Sequence, residues 1–208
     1  MLFRSTLSDN TIAFLERGDL GEVRDNLRYI VDMVRRMATL TSQLKTFARK
    51  STGEAKPVPL AGAVDAALLI LRRRLEAEKV ATRIDTAADA VVACDENRLE
   101  QVVINLVANA LDAMAGVAAP RLEITARRAG ARVIVDVHDA GPGLTQEAAQ
   151  RLFEPFFTTK EARGGLGLGL TISAGIVHDF GGTISGASHP DGGAVFTVDL
   201  PAATEDAG

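Results

Sequence analysis

An apolar segment with a single polar stripe limits the fold of this chain more than any other sequence feature. Residues 102–119 are mainly aliphatic, and Asn105, Asn109 and Asp112 interrupt them at positions i, i+4 and i+7. In a helix these three side chains share one stripe, while the remaining sides are apolar. An exposed polar face is the simpler alternative. Apolar residues on several sides instead favour a buried helix whose amides need hydrogen-bond partners, and the polar interruptions argue against a bilayer-spanning segment.

The composition admits one globular domain with an appendage. The chain has 208 residues, 47% of them hydrophobic and only 4% aromatic, so Leu, Val, Ile and Ala must form the core. A net charge of −4 provides no broad basic field, which argues against nucleic-acid binding. The single cysteine, Cys94, cannot form an internal disulfide. We interpret it as a small buried residue in a reducing compartment.

The first 50 residues have a helical pattern. Residues 18–21, Gly-Asp-Leu-Gly, predict a tight connection between two helices. After it, apolar residues recur at alternating spacings of four and three, which is typical of a coiled-coil or bundle seam. The seam consists of Val23, Leu27, Ile30, Val34, Met37, Thr41, Leu44 and Ala48. We predict a partial dimerisation hairpin over residues 1–50 that pairs with a second copy into a four-helix bundle.

The two halves of this hairpin differ in length. If the chain reverses near residue 19 or 20, Leu40, Leu44 and Phe47 lie beyond the reach of the first helix. We therefore expect the hairpin to be part of a longer one.

The remainder of the chain mixes helices with strands. Residues 51–57 are polar and contain helix-stopping residues, which predicts a linker, and residues 58–208 form the second domain. Periodicity predicts helices over 60–78 and 95–114. It predicts strands over 82–85, 90–94, 122–127, 132–137, 182–186 and 194–200. The resulting fold class is a two-layer α/β sandwich, with helices on one face of a sheet, preceded by an antiparallel helical hairpin.

Two glycine-rich segments predict contacts with an anionic ligand. Asp139 ends a predicted strand and is followed by Ala-Gly-Pro-Gly. Its carboxylate can accept a hydrogen bond from an exocyclic amine such as that of adenine, although this sequence is as often a plain turn. Residues 164–170, Gly-Gly-Leu-Gly-Leu-Gly-Leu, precede a predicted helix, whose N–H groups favour phosphate. The spacing excludes a Walker loop, a dinucleotide fingerprint and a protein-kinase glycine loop.

An aromatic segment lies between the two glycine segments. Residues 152–160 contain three of the eight Phe of the chain and end in Thr158, Thr159 and Lys160. The Phe residues are typical of a core plug. The loop they anchor can act as a mobile lid whose Lys160 or Arg163 offsets phosphate charge.

The amide oxygens of the polar stripe suit Mg²⁺, which takes few protein ligands beside the phosphates of a nucleotide.

These four segments, in this order, resemble the motifs of sensor histidine kinases. Residues 95–113 are similar to the N box, 139–143 to the first glycine box, 153–160 to the F box and 165–169 to the second glycine box. The resemblance extends over residues 57–201, and residues 43–50 are similar to the second hairpin helix of C4-dicarboxylate transport sensor kinases. It implies the Bergerat, or GHKL, ATP-binding fold and the cofactors ATP and Mg²⁺. The implied reaction transfers the γ-phosphoryl of ATP to a histidine for relay to an aspartate.

The resemblance also implies a role for each motif residue. Asn109 and Asn105 hold Mg²⁺ and act in catalysis together with Lys160, while Asp139 recognises adenine. The other residues expected to contact the nucleotide are Asp112, Gly141, Gly143, Phe157, Thr158, Lys160, Gly165, Leu166, Gly167, Leu168 and Gly169.

The histidines depart from the family pattern. The phosphate-accepting histidine of the family lies in the first hairpin helix, whereas His138, His178 and His189 all lie after residue 50. We therefore expect the acceptor to lie outside this chain, so that the chain does not autophosphorylate by itself. We interpret His138 as structural and expect His178 and His189 to face solvent.

The expected partners follow from the same resemblance. They are the receiver domain of a response regulator and a second copy of the chain, in the cytoplasm, with a membrane contact only through an N-terminal sensor region that is absent here. An ATP-driven conformational clamp, as in gyrase and chaperone ATPases, is one alternative. Those proteins carry a glutamate base at the position of Asn105, and an amide cannot deprotonate water. A non-catalytic dimerisation module is another alternative, and it predicts no nucleotide binding.

Overall fold

Two helices form the described part of the first fifty residues. Helix α1 (Phe3–Glu16) ends at a turn in which Gly18 has a φ of +79°, a left-handed conformation that glycine adopts without strain. The backbone N–H of Asp19 donates to the carbonyl of Phe14 across this turn (3.0 Å). Helix α2 begins at residue 20 and is described over 20–31 and 33–34. The predicted helical hairpin is therefore confirmed, whereas Met37, Leu40, Thr41, Leu44 and Phe47 lie outside the described residues.

The computed structural model describes residues 3–31, 33–34, 55–158 and 167–203, which belong to two units, residues 1–48 and 49–208. In the described part of the second unit, the helices are α3 (Leu60–Ala77), α4 (Glu96–Met114), α5 (Gln146–Arg151) and α6 (Gly169–Asp179). The strands are β1 (Lys56–Pro59), β2 (Ala81–Thr86), β3 (Val91–Cys94), β4 (Arg121–Ala129), β5 (Arg132–Asp139), β6 (Thr183–Ser188) and β7 (Ala194–Pro201). None of the helices within these ranges is long and apolar enough to cross a membrane.

Five strands form the main sheet in the order β2-β4-β5-β7-β6. The β2–β4 pair is parallel, and the other three pairs are antiparallel. Burial alternates strictly along β5, where Val133, Val135, Val137 and Asp139 are buried and the residues between them are half-buried. Helix α4 packs on β5 between α3 and α6. The predicted two-layer α/β sandwich is confirmed.

Helix α4 lies in the core of the second unit. Its buried residues are Leu99, Val102, Val103, Leu106, Val107, Ala110, Leu111 and Met114. Asn105, Asn109 and Asp112 are half-buried along the remaining stripe, as their spacing predicts. The helix begins after Asp95, whose carboxylate accepts a hydrogen bond from the backbone N–H of Arg98 (3.2 Å) and so caps the N-terminus.

Strand β1 occupies the last two residues of the stretch that was predicted to be a linker. It pairs antiparallel with β3 although it contains Pro57 and Pro59. Backbone N–H groups along a strand point alternately toward and away from the neighbouring strand. The N–H of Leu60, the residue after Pro59, donates to the carbonyl of Ala90 (2.9 Å) and so points toward the β3 side. Pro57 and Pro59 are two residues apart and therefore share the opposite direction. The missing N–H groups of both prolines therefore point away from β3, which is the arrangement in which an edge strand accepts proline.

Cys94 provides a test of the packing at the end of β3. Its side chain is 2% exposed, and burial, reinforced by the charges of Asp95 and Glu96, raises the pKa of the thiol from 9.0 to about 12. We expect iodoacetamide to label Cys94 only after denaturation, since the thiolate is the reactive form. Because the unfolded chain loses this proton at lower pH than the native state, the free energy of unfolding should fall as pH rises above 9.0. Rapid labelling of the native protein would contradict this burial.

Candidate functional site

The carboxylate of Asp139 is buried at the end of β5. The residue is 2% exposed, and its Oδ1 accepts a hydrogen bond from the backbone N–H of Gly141 (2.8 Å). A Cβ atom at Gly141 would lie 2.6 Å from that oxygen and 3.1 Å from the Cβ of Ala113 on α4. A larger residue there would have to displace the carboxylate of Asp139. The turn thus brings a buried acceptor, fixed by the backbone, beside the C-terminal half of α4.

Asn105 joins α4 to the beginning of α6. Its Nδ2 donates to the carbonyl of Gly169 (3.3 Å) and to the hydroxyl of Ser173 (3.2 Å). The bond to a carbonyl fixes the orientation of the amide, because a carbonyl oxygen only accepts. Ser173 is fully buried. Sequence reasoning missed Ser173, although its spacing of four residues from Gly169 places both on the same face of α6.

Asn109 and Asp112 continue the stripe toward the C-terminus of α4. Asn109 is half-buried. Asp112 Oδ1 accepts a hydrogen bond from Arg74 Nη2 on α3 (2.9 Å), and Arg74 Nε donates to Glu78 (3.0 Å). Burial lowers the pKa of Arg74, but the hydrogen bonds and charges of Glu78 and Asp112 outweigh it and raise that pKa above its usual value. Asp112 therefore ties α4 to α3, and its contact with a nucleotide stays a prediction.

The F segment, residues 153–158, is hydrogen-bonded to the start of α6 and to the residue that precedes it by two positions, Gly167. The backbone N–H of Phe156 donates to the carbonyl of Gly167 (3.1 Å), and Thr171 Oγ1 donates to the carbonyl of Phe153 (3.2 Å). Gly167 has a φ of +66°, and a Cβ there would overlap the carbonyl oxygen of Phe157. The two backbones can approach this closely only because residue 167 is glycine.

The aromatic side chains of the F segment differ in burial. Phe153 and Phe157 are half-buried, and the guanidinium carbon of Arg151 lies 4.5 Å from the ring centroid of Phe157. Phe156 has a φ of +65° and is 69% exposed. The core-plug interpretation is therefore wrong for Phe156, because the turn directs its ring outward.

The other predicted site residues lie on the same loops. Gly143 has a φ of +78°, Thr158 is half-buried, Leu168 is buried and Gly169 is the first residue of α6. A Cβ on Gly169 would lie 3.9 Å from Cγ of Asn105. Lys160, Arg163, Gly165 and Leu166 lie outside the described residues. No group of three His, Cys, Asp or Glu side chains within the described ranges could hold a metal ion.

Both glycine segments therefore meet the same face of α4. The first contacts it at Ala113, through Gly141, and the second contacts it two turns earlier, at Asn105, through Gly169. A buried carboxylate borders one end of this face, and the N-terminus of an eleven-residue helix borders the other.

Residues 94–204 match the family of histidine kinase-, DNA gyrase B- and HSP90-like ATPases. The chain belongs to this family. Among its relatives, the C4-dicarboxylate transport sensor protein DctB of Rhizobium meliloti (strain 1021) is 38% identical over 194 residues, which cover 93% of this chain and 31% of that protein. DctB of Pseudomonas aeruginosa is 36% identical over 195 residues, covering 93% of this chain and 32% of that protein.

Solved structures agree with this assignment. The catalytic domain of histidine kinase ThkA superposes with a TM-score of 0.65 at 30% identity, covering 72% of this chain and 97% of that chain. The predicted resemblance to sensor histidine kinases, and to C4-dicarboxylate transport sensors among them, is confirmed, as is the GHKL fold. The second unit of the chain is thus a catalytic domain of the histidine kinase type. The chain spans about a third of the length of these two DctB proteins.

Proposed function

We propose that this chain binds ATP together with Mg²⁺ and is the catalytic part of a sensor histidine kinase. The whole enzyme would transfer the γ-phosphoryl group to a histidine for relay to an aspartate of a response regulator. The observation that carries this proposal is the face of α4 from Asn105 to Ala113, which both glycine segments border. That face combines a buried carboxylate with a helix N-terminus, which are the groups that an adenine amine and a phosphate require.

The chemistry of the donor atoms fits a nucleotide. The carboxylate of Asp139 accepts a hydrogen bond from the exocyclic amine of adenine, while Gly141 and Gly143 let the ligand approach the backbone. At the other end, the first N–H groups of α6 have no partner within the helix and point toward the phosphates. Gly167, Leu168 and Gly169 lie at that end, next to Asn105.

The donor set also fits Mg²⁺. We propose that the amide oxygens of Asn109 and Asn105 hold the ion, because Mg²⁺ prefers oxygen ligands and retains several waters. Since Asn105 Nδ2 donates to Gly169 and Ser173, Oδ1 is the atom of that amide that can accept a water or contact the ion. When bound, the ion would neutralise charge on the phosphates.

The residues of this site favour transfer of the phosphoryl group to a protein side chain over its transfer to water, which is ATP hydrolysis. Asn105 stands where the clamp ATPases carry a glutamate base, and its amide cannot take a proton from water. Asn105 instead positions the start of α6 against α4 through two hydrogen bonds. Positioning and charge neutralisation supply most of the catalysis in phosphoryl transfer, and we propose that Lys160 contributes positive charge.

We expect Asn109→Ala to remove most of the Mg²⁺-dependent part of nucleotide affinity. Calorimetric titration of ADP with and without Mg²⁺ measures this difference, which for a lost metal ligand should be on the order of tenfold. Asn97→Ala is a matched control, since Asn97 lies on the exposed first turn of the same helix. If the wild-type chain binds no ADP, the proposed function is wrong. If Asn109→Ala and the wild type show the same Mg²⁺ dependence, Asn109 is not a metal ligand.

The first unit supports a homodimer. Apolar side chains are exposed on the described helices, and Leu20 (67%) and Val34 (59%) are among the most exposed. We propose that a second copy of the hairpin covers them in a four-helix bundle. His138, His178 and His189 all belong to the second unit, so we propose that the phosphate-accepting histidine lies on another segment and that the response regulator receives the phosphoryl group from there.

A further inference from the structure

The β6–β7 turn, which consists of residues 189–193 together with Ser188 at the end of β6, packs against the backbone that carries Asp139. Gly193 has a φ of +79°, and a Cβ there would overlap the carbonyl oxygen of Asp139 and lie 3.2 Å from Cα of Ala140. A Cβ on Gly143 would lie 3.0 Å from the carbonyl oxygen of Gly193. The turn is therefore in direct backbone contact with the first glycine segment, over Asp139 and Gly143.

Ser188 fixes the distal end of this glycine segment. Its Oγ accepts a hydrogen bond from the backbone N–H of Leu144 (2.9 Å) and donates one to the carbonyl of the same residue (3.0 Å). Leu144 directly follows Gly143. A hydroxyl can make both bonds at once because it is both a donor and an acceptor. One side chain thereby satisfies both the backbone N–H and the backbone carbonyl of the residue that follows the segment.

His138 fixes the proximal end. Its Nε2 lies 2.9 Å from the carbonyl oxygen of Gly192 and must carry the hydrogen, because that oxygen only accepts. The ring of His138 also packs on the ring of His189, with centroids 4.0 Å apart and planes at 32°. The side chain of His189 is 31% exposed, so one part of its ring faces solvent and another part packs on His138. The same turn therefore holds residues at both ends of the segment.

We propose that Ser188 and His138 are positioning residues for nucleotide binding. They hold residues 139–144 in the shape that presents the carboxylate of Asp139 to the base. The inference rests on the proposed nucleotide-binding function. Neither residue touches the ligand: Ser188 bonds the backbone of Leu144, and His138 points to the opposite face of β5 from Asp139. Their contribution is preorganisation, since a segment held in shape before binding loses less conformational freedom on binding.

Ser188→Ala tests the distal contact. We expect the affinity for ADP to fall about fivefold, which is the size of a typical intramolecular hydrogen bond. Ser188→Thr keeps the hydroxyl and should restore the affinity. Ser185→Ala, on an exposed position of the same strand, should leave it unchanged.

A second nucleotide distinguishes positioning from a general loss of structure. If the β6–β7 turn aims Asp139 at the exocyclic amine of adenine, Ser188→Ala should lower the ratio of ADP affinity to GDP affinity. General destabilisation would lower both affinities by the same factor, and that result would overturn the proposal, as would unchanged ADP binding. Failure of the wild-type chain to bind ADP would instead overturn the proposed function on which the inference depends.

His138→Phe tests the proximal contact, since it preserves a ring against His189 but removes the donor to Gly192. We expect a smaller loss of ADP affinity than for Ser188→Ala, about threefold, with the same decrease in the ADP-to-GDP ratio. His178→Phe is the matched control, because His178 is exposed on the last turn of α6. An unchanged ratio in His138→Phe would remove His138 from the positioning role.

Discussion

Asp139→Asn should weaken ADP binding by roughly 10- to 150-fold, or about 1.5–3 kcal/mol, which is the usual contribution of a hydrogen bond to a charged group. The substitution keeps the size of the side chain and an oxygen that can accept the N–H of Gly141. It replaces the second carboxylate oxygen with an amide that cannot accept from the exocyclic amine of adenine. Calorimetry with ADP measures the loss.

Asp136→Asn provides the control for this experiment. Asp136 lies on the same strand but on the outer face of the sheet, where Thr197 Oγ1 donates to its carboxylate (2.6 Å). Its replacement should leave ADP affinity unchanged, because the side chain of Asp136 lies on the opposite face of the strand from that of Asp139. If both variants bind ADP as tightly as the wild type, Asp139 does not recognise the base.

Gly167→Ala should lower the free energy of unfolding by roughly 2–4 kcal/mol and should also weaken ATP binding. Two effects add. The φ of +66° is strained for any residue with a Cβ, and that Cβ would overlap the carbonyl oxygen of Phe157 and lie 2.6 Å from the carbonyl carbon of Phe156. Because these are backbone atoms, no change of side-chain rotamer relieves the overlap. The F segment must instead move away from α6.

In contrast, we expect Gly175→Ala to raise the free energy of unfolding. Gly175 lies inside α6, and a Cβ there meets nothing within 4 Å. Replacing glycine by alanine in a helix interior stabilises it by about 1 kcal/mol. Thermal unfolding of the two variants therefore separates them, with a lower melting temperature for Gly167→Ala and a higher one for Gly175→Ala. Equal melting temperatures would contradict the close approach at Gly167.

Several of the elements that the sequence predicts have a burial pattern that follows a local period. Alternation along β5 and the polar stripe of α4 are both visible in the sequence, and both match the observed burial. Strand β1 and helix α5 lack such a period. Prolines in β1 argue against a strand until its partner is known, and α5 has only six residues, capped by Thr145, whose Oγ1 accepts from the N–H of Ala148 (3.1 Å).

The residues of the candidate site also fall into those that local sequence predicts and those that it does not. Asn105, Asn109, Asp139 and the glycines form recognisable motifs, so local sequence singles them out. Ser188 and Ser173 belong to no motif, and their roles depend on partners 44 and 68 residues away in the sequence. Contacts over such distances are created by the strand order, which periodicity alone does not determine.

The position of β7 in the sheet also determines when the site can form during synthesis. β5, which carries Asp139, lies between β4 and β7, so one of its edges stays unpaired until β7 has left the ribosome. Gly193 also immediately precedes that strand. Pairings so distant in sequence are slow to close. The nucleotide site is therefore completed late, and a nascent chain that already contains every motif from Asn105 to Gly169 still lacks the strand that holds Asp139 in place.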